Sequence, residues 1–405
     1  MMDYEKVIPG IIKKTDSKIL LIVLDGVGGL PHSETGKTEL ETASTPFLDE
    51  MASKSSCGLT IPVLNGITPG SGPGHIALFG YDPIETQIGR GVLECLGIGA
   101  TVGKDDIAIR GNFATITPDR IVTDRRAGRI STEENQEIVS LLSEKIKEIK
   151  GVKVSIYTVK EHRCAIVLKG SGLAPYVSEN DPQKEGQPLK PIKALDRSSD
   201  KTAEVLSEIE KKVMEILMPV DTKAKGLLFR GISKLPDIKT FSEKYKLNAA
   251  CIATYPMYKG IAKVVGMDVI DGLETIESEI NALKGIYNQY DFFFLHIKKT
   301  DSYGEDGNFE AKVKTIEEAD RCLSVIKNMK FGAIAITGDH STPALLKSHS
   351  WHPLPLLINS PYAIPDDAKR LTERECAKGI LGRLYSKEIM YLLLAYSLKL
   401  DKFGA

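Results

Sequence analysis

The sequence predicts an α/β fold in which a doubly wound, mostly parallel sheet carries helices on both faces and is interrupted by an inserted α+β domain. The first observation is that four apolar runs are continuous rather than alternating, at residues 19–24, 292–297, 332–337 and 354–358. Continuous runs are typical of strands that are buried on both faces. The second is that segments with helical spacing lie between them, at residues 45–53, 311–329 and 387–398. Strands that alternate with helices favour a doubly wound sheet.

The middle of the chain has a different pattern, which is the third observation. Apolar runs between residues 106 and 170 are short and mixed around a predicted helix at 132–149, and a second helix is predicted at 199–217. The segment 180–197 is polar and rich in proline, and we interpret it as a long exposed loop. We therefore predict that residues 1–76 and 244–405 form the sheet domain and that residues 77–243 form the insert.

The composition argues against several classes of function. The 405 residues include 53 Lys and Arg against 54 Asp and Glu, whereas domains that bind nucleic acids are usually strongly basic. No apolar run approaches the ~20 residues that a membrane span needs, and the N-terminal MMDYEKVIPG has no apolar signal core. The 6 cysteines are scattered, as is typical of reduced core thiols. We expect a soluble cytoplasmic protein that binds neither nucleic acid nor membranes.

Acidic side chains follow three of the predicted strands. Asp25 comes directly after the first run, and Asp301 and Asp339 come shortly after the runs at 292–297 and 332–337. Ligands of open α/β sheets bind beyond the carboxyl ends of the strands, so these three carboxylates are expected to converge. Crowded carboxylates repel one another unless a cation holds them, which favours a divalent metal. Taken singly, each Asp has an ordinary alternative as a turn residue or helix cap.

Histidines are concentrated after the third of these strands. His340, His349 and His352 all lie in the segment GDHSTPALLKSHSWHP. Imidazole together with carboxylate suits Mn²⁺ or Zn²⁺ better than Ca²⁺, which prefers oxygen ligands alone. His352 precedes a proline and is equally consistent with a loop residue.

The candidate nucleophile is Ser71, within TPGSGPGH at residues 68–75. Glycines on both sides let the backbone approach a ligand closely and let the hydroxyl project. The segment matches neither the phosphate-binding loop of nucleotide hydrolases nor the dinucleotide-binding fingerprint. A bound metal would activate the hydroxyl. Two alternatives stay open: a Ser-His-Asp triad that uses His75, and a simple Gly/Pro-rich surface turn.

At this point the chain resembles the cofactor-independent phosphoglycerate mutases, in their archaeal-type branch, within the alkaline phosphatase superfamily. The motifs that carry the resemblance run in order along most of the chain. They are LDGVGG (24–29), TPGSGPGH (68–75), GYDP (80–83), GRGVLECLGIG (89–99), RGNFATI (110–116), DRRAGRI (124–130), FRGISKLP (229–236), YPMYKGIAK (255–263), HIKKTD (296–301), TGDHSTP (337–343) and HSWHPLPLL (349–357).

The resemblance implies an alkaline-phosphatase-like core and two bound divalent metals. These are usually Mn²⁺, with Mg²⁺, Co²⁺ or Zn²⁺ as alternatives, and 2,3-bisphosphoglycerate is not needed. It implies that Ser71 accepts the phosphoryl group. One implied metal set is Asp25, Ser71, Asp339 and His340, and the other is Asp301, Glu305 and His349. At Glu305 the sequence departs from the family, which has His there. A carboxylate at this position either shifts the metal preference toward harder ions or weakens the site and slows the enzyme.

The resemblance also implies the reaction, which interconverts 3-phosphoglycerate and 2-phosphoglycerate in glycolysis and gluconeogenesis through a phosphoserine. The sheet domain would then be the metal-binding, phosphatase-like domain, and the insert would bind the substrate. Arginine holds phosphate and carboxylate groups in bidentate fashion. The implied substrate-binding residues are Arg125, Arg126, Arg129, His162, Arg163, Arg230 and Lys259. For Arg129 and Lys259, a solvated charge is an equal alternative.

Other functions stay open on the same residues. A metal-dependent phosphomonoesterase or another phosphosugar mutase would share Ser71 and the metal ligands. A weakly active or metal-poor homologue that serves as a binding protein is conceivable because of Glu305. The expected partner is a small phosphorylated substrate. The sequence leaves open whether the protein is a monomer or a homo-oligomer.

Overall fold

The computed structural model describes residues 4–404, which divide into two compact units. Residues 4–87 and 238–404 form the first unit, and residues 88–237 form the second. The sequence instead predicts the domain boundaries after residues 76 and 243. Residues 79–80 belong to the first unit because Tyr245 Oη donates to the carbonyl oxygen of Phe79 (3.0 Å) and Lys244 Nζ donates to that of Gly80 (2.8 Å).

Residues 4–404 contain 15 strands, which are numbered in chain order. They are β1 (Ile19–Leu24), β2 (Ser56–Ile61), β3 (Ile107–Ile116), β4 (Ile121–Asp124), β5 (Glu148–Ile149), β6 (Val152–Lys160), β7 (Arg163–Lys169), β8 (Gln187–Pro188), β9 (Gly226–Ser233), β10 (Ala249–Ala253), β11 (Asp268–Ile270), β12 (Phe292–Ile297), β13 (Ala333–Thr337), β14 (Leu354–Asn359) and β15 (Gly382–Tyr385).

The same residues contain 14 α-helices and four short 3₁₀ segments. The helices are α1 (Tyr4–Ile11), α2 (Glu39–Thr42), α3 (Pro46–Ala52), α4 (Ser71–Leu78), α5 (Arg90–Gly97), α6 (Thr132–Lys145), α7 (Asp200–Leu217), α8 (Phe241–Tyr245), α9 (Pro256–Val264), α10 (Ile276–Ile286), α11 (Lys299–Glu305), α12 (Phe309–Leu323), α13 (Glu373–Cys376) and α14 (Ile389–Tyr396). The 3₁₀ segments are Ala127–Arg129, Arg197–Ser199, Ser324–Asn328 and Ser386–Glu388. No helix of the described chain is both long enough and apolar enough to cross a bilayer.

The first unit is built on a sheet in the order β11-β10-β12-β1-β13-β14-β2-β15. Its neighbouring strands are parallel except at β14, which runs antiparallel to β13 and to β2. The prediction of a mostly parallel sheet is therefore confirmed, but the run at 354–358 does not share the common direction. The reason is local: residues 338–353 contain no helix that could return the chain for a parallel pairing.

Both faces of this sheet are covered, as predicted. On one face, Ile22 and Leu295 pack in a core with residues of α3, α10 and α12. Adjacent residues of a strand point to opposite faces, so Phe294 lies on the other side. There its ring stands edge-on to Phe79, with centroids 4.8 Å apart. The strands therefore need continuous apolar runs, because each of them is buried on both faces of the sheet.

The second unit is a mixed α+β structure, again as predicted. Its sheet has the order β5-β6-β7-β3-β4-β8, and β9 pairs with β3. All of these pairings are antiparallel. The helices α6 and α7 pack on the sheet through residues such as Leu142 and Ile209, which are completely buried. Ser131 begins α6 by accepting a hydrogen bond from the Glu134 backbone N–H.

One local prediction for this unit is wrong, because the helix predicted at 132–149 ends at Lys145, and Glu148–Ile149 pairs with β6 as a short strand instead. The segment predicted as an exposed loop is mostly exposed, as predicted, but it begins with two buried residues, since Asn180 and Asp181 are at most 1% exposed. Asn180 satisfies backbone groups of β9: it donates to the Leu227 carbonyl and accepts from the Phe229 N–H.

Candidate metal centre

Three neighbouring strands of the first unit deliver the acidic residues to one place. β12, β1 and β13 lie side by side, and Asp301, Asp25 and Asp339 follow their carboxyl ends. Asp25 and Asp339 are completely buried, and Asp301 is 2% exposed. The backbone N–H of Gly26 donates to Asp339 Oδ1 (3.1 Å), which joins the loops after β1 and β13. The expected convergence of the carboxylates is therefore present.

One group of possible metal ligands is formed by Asp25, Asp339 and His340. His340 Nε2 lies 3.4 Å from Asp25 Oδ1 and 3.2 Å from Asp339 Oδ2. Ser71 Oγ is 3.1 Å from the same nitrogen, so the candidate nucleophile adjoins this group. These are the four residues of the first implied set.

A second group is formed by Asp301, His340 and His349. His349 Nε2 lies 3.7 Å from Asp301 Oδ1 and 3.7 Å from Glu305 Oε1. The rings of His340 and His349 are stacked with centroids 3.6 Å apart, so His340 lies in both groups. Glu305 ends α11 and is 55% exposed at its side chain, and it borders the second group from the solvent side.

The charges in this cluster fit a cation. Asp25 Oδ1 and Asp339 Oδ2 are buried and accept no hydrogen bond from any residue of 4–404. Burial, reinforced by the charge of Asp25, raises the pKa of Asp339 well above its usual value. Burial lowers the pKa of His340 to about 4, so its imidazole is neutral and available as a ligand. Two buried carboxylates with free oxygens beside a neutral imidazole suit a divalent metal.

Hydrogen bonds fix the orientation of His340. The Thr342 hydroxyl donates to Asp301 Oδ1 (2.7 Å), so it accepts from His340 Nδ1 (2.9 Å). The proton therefore sits on Nδ1, and the Nε2 lone pair faces Ser71 and the two carboxylates. Second partners of this kind commonly orient metal-binding histidines.

Ser71 is the first residue of α4, after the N-cap Gly70. A helix N-terminus favours an anionic group such as phosphate. Gly74 explains part of the glycine-rich motif, because a Cβ there would lie 2.4 Å from the carbonyl oxygen of Asp339. The glycine is therefore needed for the close packing of α4 against the loop that carries Asp339 and His340, both candidate metal ligands.

His75 does not complete a Ser-His-Asp triad in this structure. Its Nδ1 donates to the backbone carbonyl oxygen of Ser71 (2.7 Å), and the nearest imidazole to the Ser71 hydroxyl is that of His340. Burial lowers the pKa of His75 to about 3, so this ring is neutral. His352, considered above as a loop residue, hydrogen-bonds Ser350 Oγ through Nδ1 (3.0 Å) and belongs to neither ligand group.

Sequence reasoning missed several side chains around the cluster. Tyr258 Oη donates to Asp25 Oδ2, and Lys298 Nζ lies 3.1 Å from the same oxygen. Lys298 also pairs with Asp301. His296 Nε2 is 3.5 Å from Asp25 Oδ2. Burial alone would raise the pKa of Asp25, but His296, His340 and Lys298 outweigh it and hold that pKa well below the usual value.

Most of the predicted substrate-binding residues lie in the second unit. Arg125 binds Asp181 in bidentate fashion (3.0 and 2.7 Å), and Arg230 Nε lies 3.5 Å from the same carboxylate. Arg126, Arg129 and Arg163 are exposed, whereas His162 is buried. Lys259 belongs to the first unit, where its Nζ is 3.0 Å from Asp271.

Arg110 was not predicted but stands among these arginines. Burial lowers the pKa of its guanidinium, and the charges of Arg163, Arg230 and Arg90 lower it further, against the attraction of Glu94. Such a concentration of positive charge is typical of a site that binds an anion. The signal available in the sequence was RGNFATI, which was used only as a family motif.

Comparisons with known proteins agree with this picture. A family model described as 2,3-bisphosphoglycerate-independent phosphoglycerate mutase matches residues 52–221. A probable 2,3-bisphosphoglycerate-independent phosphoglycerate mutase from Thermotoga neapolitana is 52% identical over 405 residues, with all of both chains covered. One from Aquifex aeolicus is 54% identical over 98% of this chain and 100% of that one.

Two solved structures have the same fold. A cofactor-independent phosphoglycerate mutase from Thermoplasma acidophilum is 29% identical, with a TM-score of 0.75 over 94% of this chain and 100% of that one. A protein from Pyrococcus horikoshii is 33% identical, with a TM-score of 0.80 over 96% and 99%. The family resemblance drawn from the sequence is confirmed: the chain belongs to the 2,3-bisphosphoglycerate-independent phosphoglycerate mutases.

Proposed function

We propose that this protein interconverts 3-phosphoglycerate and 2-phosphoglycerate through a phosphoserine at Ser71, without 2,3-bisphosphoglycerate. The observation that carries the proposal is the placement of Ser71 Oγ, 3.1 Å from His340 Nε2, at the start of α4 and beside buried carboxylates. Family membership supplies the substrate class. The activity belongs to glycolysis and gluconeogenesis, which supports a cytoplasmic location.

Two divalent ions, Mn²⁺ first among them, complete the proposed site. Asp25, Ser71, Asp339 and His340 would hold one ion, and Asp301, Glu305 and His349 would hold the other. When bound, such ions neutralise the charge of the transferring phosphoryl group and favour the ionised serine oxygen. Glu305 supports this assignment through its 3.7 Å approach to His349, and its carboxylate favours Mn²⁺ or Mg²⁺ over softer ions.

The proposed transfer takes place in two steps at Ser71. The serine oxygen forms a bond to phosphorus as the bond between phosphorus and the 3-oxygen of the substrate breaks. The 2-hydroxyl of the retained glycerate then attacks phosphorus, and the bond to the serine oxygen breaks. The start of α4 and Lys298 contribute positive potential to both steps.

Glycerate must stay bound while it reorients between the two transfers, and we assign its binding to basic residues. Those assigned are Arg110, Arg125, Arg126, Arg129, His162, Arg163 and Arg230 of the second unit, with Lys259 of the first. Arginine suits the carboxylate of glycerate because its planar donors bind two oxygens at once. The first unit is thereby the phosphoryl-transfer unit, and the second unit binds the carboxylate end of the substrate.

The proposal is tested with 3-phosphoglycerate, Mn²⁺ and enolase as the coupling enzyme, in the absence of 2,3-bisphosphoglycerate. We expect steady formation of phosphoenolpyruvate, which is lost in Ser71→Ala and retained in Ser348→Ala, a change of an exposed serine of the same unit. Mass spectrometry of the quenched enzyme is expected to place one phosphoryl group on Ser71. Substantial mutase activity in Ser71→Ala would contradict the scheme.

The same experiment separates the rival functions. Inorganic phosphate that appears faster than 2-phosphoglycerate would identify a phosphomonoesterase instead. Fewer than two Mn²⁺ ions bound per chain in excess metal, with little turnover, would identify the weakly active homologue that Glu305 made conceivable.

A further inference from the structure

We infer that Tyr258 is a positioning residue of the transfer site, whose hydroxyl fixes the orientation of the Asp25 carboxylate. The inference rests on the proposed role of Ser71 and adds a residue outside both metal sets. It concerns a side chain that the sequence offered only as part of the YPMYKGIAK motif.

The fold leaves the Tyr258 ring no freedom to turn. Tyr258 lies in the first turn of α9, which follows β10, the neighbour of β12 in the sheet. The residue is completely buried. Its ring packs on that of His296, with centroids 3.8 Å apart, and on that of His75, with centroids 4.7 Å apart. A ring held on two sides aims its hydroxyl at one point.

That point is the Asp25 carboxylate. Tyr258 Oη donates to Asp25 Oδ2 in the buried interior of the site.

The two oxygens of the Asp25 carboxylate have different surroundings. Oδ2 is held by Tyr258 and by Lys298 at 3.1 Å, whereas Oδ1 accepts no hydrogen bond from the described residues. Lys298 also pairs with Asp301, so it cannot by itself fix Asp25 in one orientation. The Tyr258 hydroxyl keeps Oδ1 turned toward His340, where a metal ligand is needed.

The orientation of Asp25 matters for Ser71 because both residues adjoin the same nitrogen. Asp25 Oδ1 lies 3.4 Å from His340 Nε2, and Ser71 Oγ lies 3.1 Å from it. Packing alone does not call for a hydroxyl on residue 258, since Phe79 and Phe294 fill the same aromatic cluster without one.

Tyr258→Phe tests the inference, with Tyr245→Phe as the matched control. Tyr245 is also completely buried in the first unit, but its hydroxyl donates to the carbonyl oxygen of Phe79 (3.0 Å). Both changes remove one buried hydroxyl and retain the ring. We expect Tyr258→Phe to lower kcat by about 10- to 100-fold with little change in KM, and to weaken Mn²⁺ binding by about 10-fold.

Two further measurements separate positioning from general stability. Mn²⁺ binding is followed by quenching of the fluorescence of Trp351, which is the single tryptophan of the sequence and lies two positions from His349. Formation of phosphoserine in a single turnover is followed at saturating Mn²⁺, where we expect Tyr258→Phe to remain slow. Melting temperatures of the two variants are expected to be similar.

The inference is wrong if Tyr258→Phe matches Tyr245→Phe in kcat and in Mn²⁺ affinity. It is also wrong if excess Mn²⁺ restores the full rate, because the hydroxyl would then affect only how much metal is bound and not the position of Asp25. Failure of the proposed function is distinguishable, since it would appear in the unmodified protein as absence of mutase turnover and of phosphoserine.

Discussion

Lys312 Nζ donates to the backbone carbonyl oxygen of Thr342 across 2.8 Å. The same ammonium group donates to the carbonyl oxygens of Gly26 (2.9 Å) and Gly28 (3.1 Å). Gly26 follows Asp25, and Thr342 belongs to the loop of His340. One completely buried side chain from α12 thus joins the two loops that carry candidate metal ligands.

Lys312→Met is expected to lower the free energy of unfolding by about 2–4 kcal/mol, because it leaves buried carbonyl oxygens without a donor. Urea unfolding measures this loss, and Mn²⁺ titration should detect weaker binding in the folded variant because the two loops are no longer joined. Lys314→Met, an exposed lysine on the same helix, serves as the control. Equal stability of the two variants would contradict the role of Lys312.

Glu305 is expected to determine metal preference at the second group. Glu305→Gln should weaken the binding of one of the two Mn²⁺ ions by about 10- to 100-fold, because the carboxylate beside His349 is lost. Glu305→His should shift preference toward Zn²⁺ or Co²⁺, since imidazole is the softer ligand. Equilibrium dialysis with each metal measures both effects.

Asp306→Asn is the control for Glu305, because Asp306 is the next residue and is also exposed. A Glu305→Gln protein that binds two Mn²⁺ ions with unchanged affinity would show that Glu305 is no ligand.

Arg163→Gln is expected to separate substrate binding from stability. Arg163 is exposed, and its positive charge repels that of Arg110. We expect KM for 3-phosphoglycerate to rise about 10-fold or more, because a hydrogen bond to a charged group is lost. The melting temperature should not fall, since a repulsive charge is removed. Lys160→Gln, at the exposed end of β6, is the control. An unchanged KM would argue against this assignment.

Glu279 predicts a pH dependence of stability that is independent of the metal centre. It is 1% exposed on α10, and burial raises its pKa from 4.5 to about 8. A pKa raised by folding adds stability that is fully present below 4.5 and is lost as the pH rises through about 8. Glu279→Gln has no such loss. Its stability relative to the unmodified protein should therefore increase from about pH 5 to about pH 9, by as much as a few kcal/mol.

Urea unfolding at the two pH values measures the effect of Glu279→Gln. Glu277→Gln, on the same helix but exposed, is the control for the substitution itself. A difference for Glu279→Gln that does not change with pH would contradict the prediction.

The convergence of the acidic residues was predictable because it follows from topology. Asp25, Asp301 and Asp339 each follow a continuous apolar run, and the carboxyl ends of parallel strands share one edge. Tyr258 and Lys312 were not predictable in the same way. Tyr258 comes from another strand-to-helix connection, and its role depends on ring packing. Lys312 did leave a signal, because it lies one turn before Ile316 on the buried face of α12.

The errors also have local causes. The predicted helix at 132–149 was extended by Ile146 and Ile149, which continue the apolar spacing and are buried. Lys150 and Gly151 both have positive φ, and this turn reverses the chain into β6 before another helical turn can form. The segment 180–197 was predicted as an exposed loop from its polar, proline-rich composition, which gave no sign that the Asn180 amide is buried against the backbone of β9.

The pairing of β1 with β12 and β13 has a consequence for synthesis. The apolar strand Ile19–Leu24 leaves the ribosome roughly 270 residues before its partners, which at typical translation rates is a delay of more than ten seconds. The second unit, continuous in the chain, can fold during that interval. The nascent protein therefore carries an exposed, aggregation-prone segment until its last third is made, which is the stage at which chaperone binding would be most useful.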